Sequence, residues 1–388
     1  MLSRILAVAP QGLRRPTSGG PYLPEIDGLR FLAISAVLLV HLLGYIFAQR
    51  DASASPADGW IHHYYEVLAR GVELFFVISG FVIAAPFARH YRRQAPAVKV
   101  REFYRRRLAR LEPPFVLAML ITYAALVLVH GADAKPLLAH LLATCTYSHG
   151  LIYHAKSTVA FISWSLEIEV QFYLLAPVLL KLLQLPATGV RSSLLLLAIL
   201  CVALDRGLAA RPALSRITLF HYLPLFLAGC LVSDAAVSCG YWVSARHRLW
   251  DAIGACAFAG ALYVPLGWTV WALPWLFGLC VVCAFRGLVL SRLLSNVWLS
   301  SIGGMCYSIY LVHEPLIYFF GRVTSKMTSF HSISRYAPAQ ALLLGIPVVA
   351  CSAVYFLMVE KPCMNKHWPR HLQLYLTAQL RSVKERIA

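Results

Sequence analysis

The chain has 388 residues, 59% of them hydrophobic and only 13% charged, with a mean hydropathy of +0.66. Soluble domains carry about a quarter charged residues, so this composition argues against both a soluble enzyme and a disordered regulator. The charges are lopsided, 35 Lys+Arg against 17 Asp+Glu for a formal net charge of +18. Because the basic clusters alternate with apolar runs, they read as membrane topology rather than as a nucleic-acid surface.

Apolar stretches close to the roughly 20 residues needed to cross about 30 Å of hydrocarbon recur along the chain. Ten are predicted, at 29–48, 67–88, 111–130, 159–185, 193–210, 217–236, 249–267, 269–289, 297–320 and 338–358. The segment 137–153 reads as a re-entrant or interfacial turn. With the N-terminus inside, 24 Lys/Arg fall on cytoplasmic segments and nine on the opposite side. Positive residues accumulate inside, so both termini are predicted to be cytoplasmic. The expected fold class is therefore all-α, a polytopic membrane bundle of about ten helices. It divides into a cytoplasmic N-terminal segment 1–22, a membrane domain 23–362 and a cytoplasmic tail 363–388, whose leucines and basic residues suit either a helix lying on the membrane face or, equally, a solvated tail. The opening run MLSRILAVAP is too short, and too soon broken by Pro10, for a signal peptide. The first span is expected to direct insertion.

Ionisable groups inside membrane helices are costly and are functional hypotheses by default. In the first span Arg30 and His41 are eleven residues apart, which is about 16 Å along a helix and close to three turns. Both therefore fall on nearly one face, Arg30 at the cytoplasmic mouth and His41 near mid-membrane. The second span carries Glu73, Ser79 and Gly80, with helix packing the simplest role for the small residues. Arg107 and Arg110 stand three apart where a basic loop enters the membrane, a spacing that puts both guanidinium groups on one face for phosphate oxygens. The fourth span holds Glu167, Glu169 and Gln171, with Glu169 sharing a face with Ser165 and Tyr173. The ninth holds His313, Glu314 and Pro315. Cys280 and Cys283 form a C-x-x-C inside one apolar helix with no second pair, which reads as small apolar packing, and no metal is expected. There is no G-x-S-x-G, H-E-x-x-H, H-x-x-x-x-D or P-loop pattern.

These residues resemble the integral-membrane acyltransferase family 3. The resemblance runs in order over about 22–362, through E-I-D-G-L-R and His41, G-V-E-L-F-F-V-I-S-G-F, R-R-L-A-R-L-E-P, W-S-L-x-x-E-x-Q-F-Y, Y-S-I-Y-L-V-H-E-P and V-E-K-P. It implies that Arg30 and His41 form the family's R-x10-H pattern, that Arg107 and Arg110 match its R-x-x-R, and that Glu169 matches the acid of its W-S-L-x-x-E. Phe115 stands where many members have Tyr, and Glu167 adds an acid at a usually apolar position. The chain ends at 388, without the secreted SGNH-type hydrolase domain fused to some relatives, so the acceptor is expected to meet the membrane domain or a separate protein.

The expected function is transfer of an acyl group, most simply acetyl, from cytoplasmic acyl-CoA to a hydroxyl of a glycan or glycolipid acceptor. His41 acts as general base, with Glu169 orienting the imidazole or stabilising imidazolium and Arg30 joining them as a catalytic residue. Arg30, Arg107 and Arg110 face the donor, and transient acylation of His41 or of a serine is the competing chemistry. The setting is a bacterial inner membrane, with lipids as surroundings and no nucleic-acid partner. A proton-coupled transporter using His41 and Glu169 as a relay is the alternative, and a structural membrane protein with buried ion pairs is a third reading.

Overall fold

The computed structural model describes residues 12–16, 22–48, 64–65, 67–92, 94–208, 218–240, 245–324 and 333–365. The tail 366–388, where an interfacial helix is expected, lies outside the described residues. Every regular element among the described residues is helical. A chain in lipid must satisfy its own backbone, and a helix does so within one segment.

The elements are α1 (Pro24–Ala48), α2 (Gly71–Tyr91), α3 (Val100–Leu128), α4 (Ala134–Cys145), α5 (His149–Tyr153), α6 (Ser163–Leu179), α7 (Ala187–Leu208) and α8 (Leu219–Cys239). They continue as α9 (Arg248–Tyr263), α10 (Thr269–Arg286), α11 (Leu288–Leu294), α12 (Val297–Gly304), α13 (Cys306–Thr324), α14 (Ile333–Tyr355) and α15 (Lys361–Cys363). Six helices among the described residues are long and apolar enough to cross a membrane: Pro24–Ile46, Val67–Tyr91, Val100–Leu128, Leu219–Cys239, Thr269–Arg286 and Pro338–Cys363. The other four stretches read as spans also contain helices, α6, α7, α9 and α13, each shorter or more polar.

The predicted boundaries shift where the sequence hides a break. The stretch 297–320 is two helices, α12 and α13, parted at Met305. The side chain of Asn296 caps α12 by accepting from Trp298 and Leu299 N–H. The stretch 269–289 ends at Gly287, after which Asp251 of α9 accepts from the N–H groups of Leu288, Val289 and Leu290 to cap α11. The segment 137–153 is a helical pair, α4 and α5. Helix α3 begins well before its apolar run, so the basic segment and the apolar span are one continuous helix.

Helices α2 and α8 form the centre. Their apolar windows are 61% and 67% buried, against 22% for Val100–Leu128 and Pro338–Cys363, which stand at the periphery. Gly80 and Gly229 make the α2–α8 crossing: a Cβ on Gly80 would strike the Phe226 backbone, and one on Gly229 would strike Val77 and Phe81. Lipid offers little hydrophobic drive between helices, so close backbone approach through small residues supplies the packing. Around this crossing Phe172 stacks on Phe226 at 4.2 Å and Phe81 on Phe285 at 5.8 Å.

Candidate functional site

Helices α1, α2, α3, α6 and α13 enclose a cavity of about 660 Å³. Seven arginines line it, among them Arg30, Arg107 and Arg110, against two glutamates, Glu102 and Glu169. The volume falls in the range of ligand pockets, and the charge selects for an anion. Thus the structure brings four of the five sequence-predicted site residues to one cavity wall.

Each charged residue is held by its own partners. Arg30 donates from Nη1 to Asp27 Oδ1 at 2.8 Å, one turn back on α1, and Arg15 donates from Nε to the other carboxylate oxygen at 3.0 Å. Asp27 itself is fully buried. Arg107 lies over the rings of Phe103 and Tyr173, 4.5 and 4.8 Å from their centroids. Arg110 pairs with Glu360 at 3.6 Å. Glu360 has 0% exposure, and its other oxygen accepts from the backbone N–H and hydroxyl of Ser308 at 3.1 and 2.6 Å. A π-helical turn over Phe356–Glu360 ends at this carboxylate, the kind of local widening that recurs at functional sites.

Buried donors remain in this wall. The Nε atoms of Arg107 and Arg110 are buried without a hydrogen-bond partner among the described residues. An orphaned buried donor is costly, and an anionic ligand oxygen would satisfy it.

Glu169 accepts at Oε1 from the Ser79 hydroxyl at 2.6 Å and from the Tyr173 hydroxyl. Its hydrogen bonds thus join α2 to α6 beside Arg107, and none goes to His41. The triad-like support of the imidazole by Glu169, expected from the sequence, is therefore not the arrangement seen.

His41 sits one turn beyond the cavity wall, four residues after the lining residue Val37. Its Nδ1 lies 2.8 Å from Val37 O and 3.3 Å from His313 Nε2. The two rings meet edge-on with centroids 4.8 Å apart. His313 is fully buried, and its Nδ1 lies 3.0 Å from Ile309 O and 2.8 Å from Tyr310 O. Carbonyl oxygens only accept, so each Nδ1 carries the hydrogen. His313 Nε2 then accepts from His41, and His41 Nε2 keeps its lone pair.

The sequence reading singled out His313 but did not join it to the site, and it passed over Asp27 and Glu360. All three stand inside the motifs that carry the resemblance, in E-I-D-G-L-R, Y-L-V-H-E-P and V-E-K-P, and that placement was the available signal. Two other polar groups of the apolar spans hold structural partners, whereas Glu73 keeps a buried carboxylate oxygen without one among the described residues. Glu167 accepts from Gly150 N–H at 3.0 Å, and Gln171 Oε1 accepts from Leu219 N–H at 3.2 Å at the start of α8. Cys280 and Cys283 are buried free thiols. No group of three His, Cys, Asp or Glu suited to a metal occurs among the described residues.

The family model for the acyltransferase domain Acyl_transf_3 matches residues 23–358. O-acetyltransferase OatA of Staphylococcus aureus (strain NCTC 8325 / PS 47) is 29% identical over 171 residues, covering 42% of this chain and 25% of OatA. The relative SACOL0978 of Staphylococcus aureus (strain COL) is 28% identical over 173 residues, covering 42% of this chain and 26% of the relative. The chain thus spans about a quarter of the length of the curated relatives it matches. No solved structure matches the chain.

Proposed function

The chain belongs to this acyltransferase family, and we propose that it is a membrane O-acyltransferase moving an acyl group, acetyl first, from cytoplasmic acyl-CoA to a hydroxyl of a carbohydrate-containing acceptor. The observation that carries this reading is the arginine-lined cavity, with the His41–His313 pair standing one helical turn past its lining residue Val37. Arg107 and Arg110, with Arg30 beyond them, offer guanidinium groups to the donor phosphates. The pantetheine arm then runs inward between α1 and α13.

At its end, His41 Nε2 takes the proton of the acceptor hydroxyl as that oxygen attacks the thioester carbonyl carbon. The tetrahedral intermediate collapses with cleavage of the C–S bond. The CoA thiolate takes the proton back from the imidazolium, giving the ester and free CoA. The Val37 carbonyl fixes the tautomer that leaves His41 Nε2 basic, and His313 Nε2 reinforces it as a second acceptor for His41 Nδ1–H. His313 is a positioning residue. Glu169 holds Tyr173 and Ser79 in place beside Arg107.

Ten crossings with both termini cytoplasmic is the topology we favour, in a bacterial inner membrane. Its support is that Lys361 Nζ donates to Gly12 O at 2.5 Å, so the two ends of the described chain meet at the arginine-rich end of the bundle.

The deciding assay uses purified protein in nanodiscs with radiolabelled acetyl-CoA and a mixed glycan extract. Thiol release and label transfer that vanish in a folded His41→Ala variant support the reading. A wild-type protein that neither binds nor consumes any acyl-CoA sinks its donor half, and proton-coupled flux is then the assay to run.

A further inference from the structure

Ahead of α1, residues 12–16 lie against the cavity and outside the matched domain. Arg15 and Pro16 line the same wall as Arg30 and Arg110. The segment is docked at three points along its length. Lys361 Nζ donates to Gly12 O, Leu13 packs on the apolar cluster of Ile34, Val37 and Phe356, and the stem of Arg15 lies against Gly304.

Arg15 is only partly neutralised there. Asp27 is one carboxylate with two guanidinium partners, Arg15 and Arg30, whose side chains are 14% and 12% exposed. One unit of positive charge is thus left over in a poorly solvated place. Burial, and after it the nearby Arg30 charge, pull the Arg15 pKa down to about 10. It remains protonated at neutral pH, and an anion would relieve both effects. Arg15 uses Nε on Asp27, while its Nη1 and Nη2 groups make no hydrogen bond among the described residues. A guanidinium so held presents its outer edge as a fixed fork, the geometry suited to a phosphate.

We propose that Arg15 is a donor-contact residue whose free Nη groups take a phosphate oxygen of the acyl-CoA, so that segment 12–16 selects phosphate-bearing thioesters over phosphate-free ones. The assignment rests on the acyl-CoA reading given under Proposed function.

The test compares acetyl-CoA with S-acetyl-pantetheine, which has the same thioester and no phosphate, using purified full-length protein in nanodiscs and thiol release as the readout. The quantity read is the ratio of kcat/KM for the two donors, a ratio that general loosening of the bundle does not move. In Arg15→Ala the ratio falls about tenfold, the scale of one lost charge-assisted hydrogen bond. Arg15→Lys keeps the charge beside Asp27 but loses the fork, lowers the ratio several-fold, and serves if Arg15→Ala does not fold.

Binding of CoA by calorimetry separates the two levels of failure. If wild type binds CoA and the Arg15 variants bind it equally, with an unchanged donor ratio, this assignment is overturned and Arg15 is only a partner of Asp27. If wild type binds no CoA, the donor reading has failed and takes this one with it.

Discussion

His41 and His313 lie 272 residues apart in the chain and 3.3 Å apart in the fold, Nδ1 against Nε2. The backbone carbonyls beneath each ring fix both hydrogens on Nδ1, so the pair has one direction, from His41 to His313. The free lone pair is on His41 Nε2. This ordering supports the proposed roles of His41 as base and His313 as its support without reference to any acidic residue.

From it follows an order of mutant severity. His41→Ala removes the proposed base, for an expected loss in kcat of about 10²–10⁴-fold. His313→Leu leaves His41 Nδ1–H its Val37 carbonyl but removes the second acceptor and the ring packing, and kcat falls by about tenfold at nearly constant donor KM. His313→Gln, whose amide oxygen can accept, stays closer to wild type. Steady-state kinetics on the purified variants reads all three, and an inactive His313→Leu beside a fully active His41→Ala reverses the assignment.

Arg110 and Glu360 make a second prediction, on stability. Glu360 is fully buried, so Arg110→Ala leaves its carboxylate with only the Ser308 donors. Removing one partner of a buried pair costs about 3–5 kcal/mol, with the lower end expected because Arg110 is 32% exposed. Adding Glu360→Gln recovers most of that loss. Thermal unfolding in detergent of the single and double variants measures it, and simple additivity means the two residues are not coupled.

At the α2–α8 crossing, Gly80→Ala places a methyl group into the backbone of Phe226, and Gly229→Ala does the same against Val77 and Phe81. Helix backbones cannot yield as a flexible side chain can, so each change costs about 1–3 kcal/mol. Both variants should fold with a lowered Tm in detergent. An unchanged Tm would mean that the two helices are not in close contact.

Topology gives a fourth prediction. A green fluorescent protein fused after residue 388 fluoresces, and an alkaline phosphatase fused at the same point is inactive, if the C-terminus is cytoplasmic. Fusions in the segment 131–158 give the reverse pattern. A bright phosphatase at the C-terminus would invert the bundle and put the arginine-lined cavity on the side away from cytoplasmic CoA.

Composition and local pattern were enough for the helical class, for the apolar stretches and for the residue types that do not belong in lipid. Hydropathy acts over a single segment, and an ionisable group in hydrocarbon stands out wherever it occurs. Arg30, Arg107, Arg110 and Glu169 were therefore legible, and the structure draws all four into one cavity. Their partners were not. Glu169 was expected beside His41, and it bonds instead to Ser79, 90 residues away. Arg110 meets Glu360 from the far end of the chain, and His41 meets His313. The break at Met305 was hidden too, because Gly303 and Gly304 leave hydropathy high while Gly303 packs against the Asp27 backbone of α1. These pairings depend on how far each helix is rotated and raised against its neighbours. In lipid that choice is made by small-residue contacts and interhelical hydrogen bonds, which no window along one segment contains.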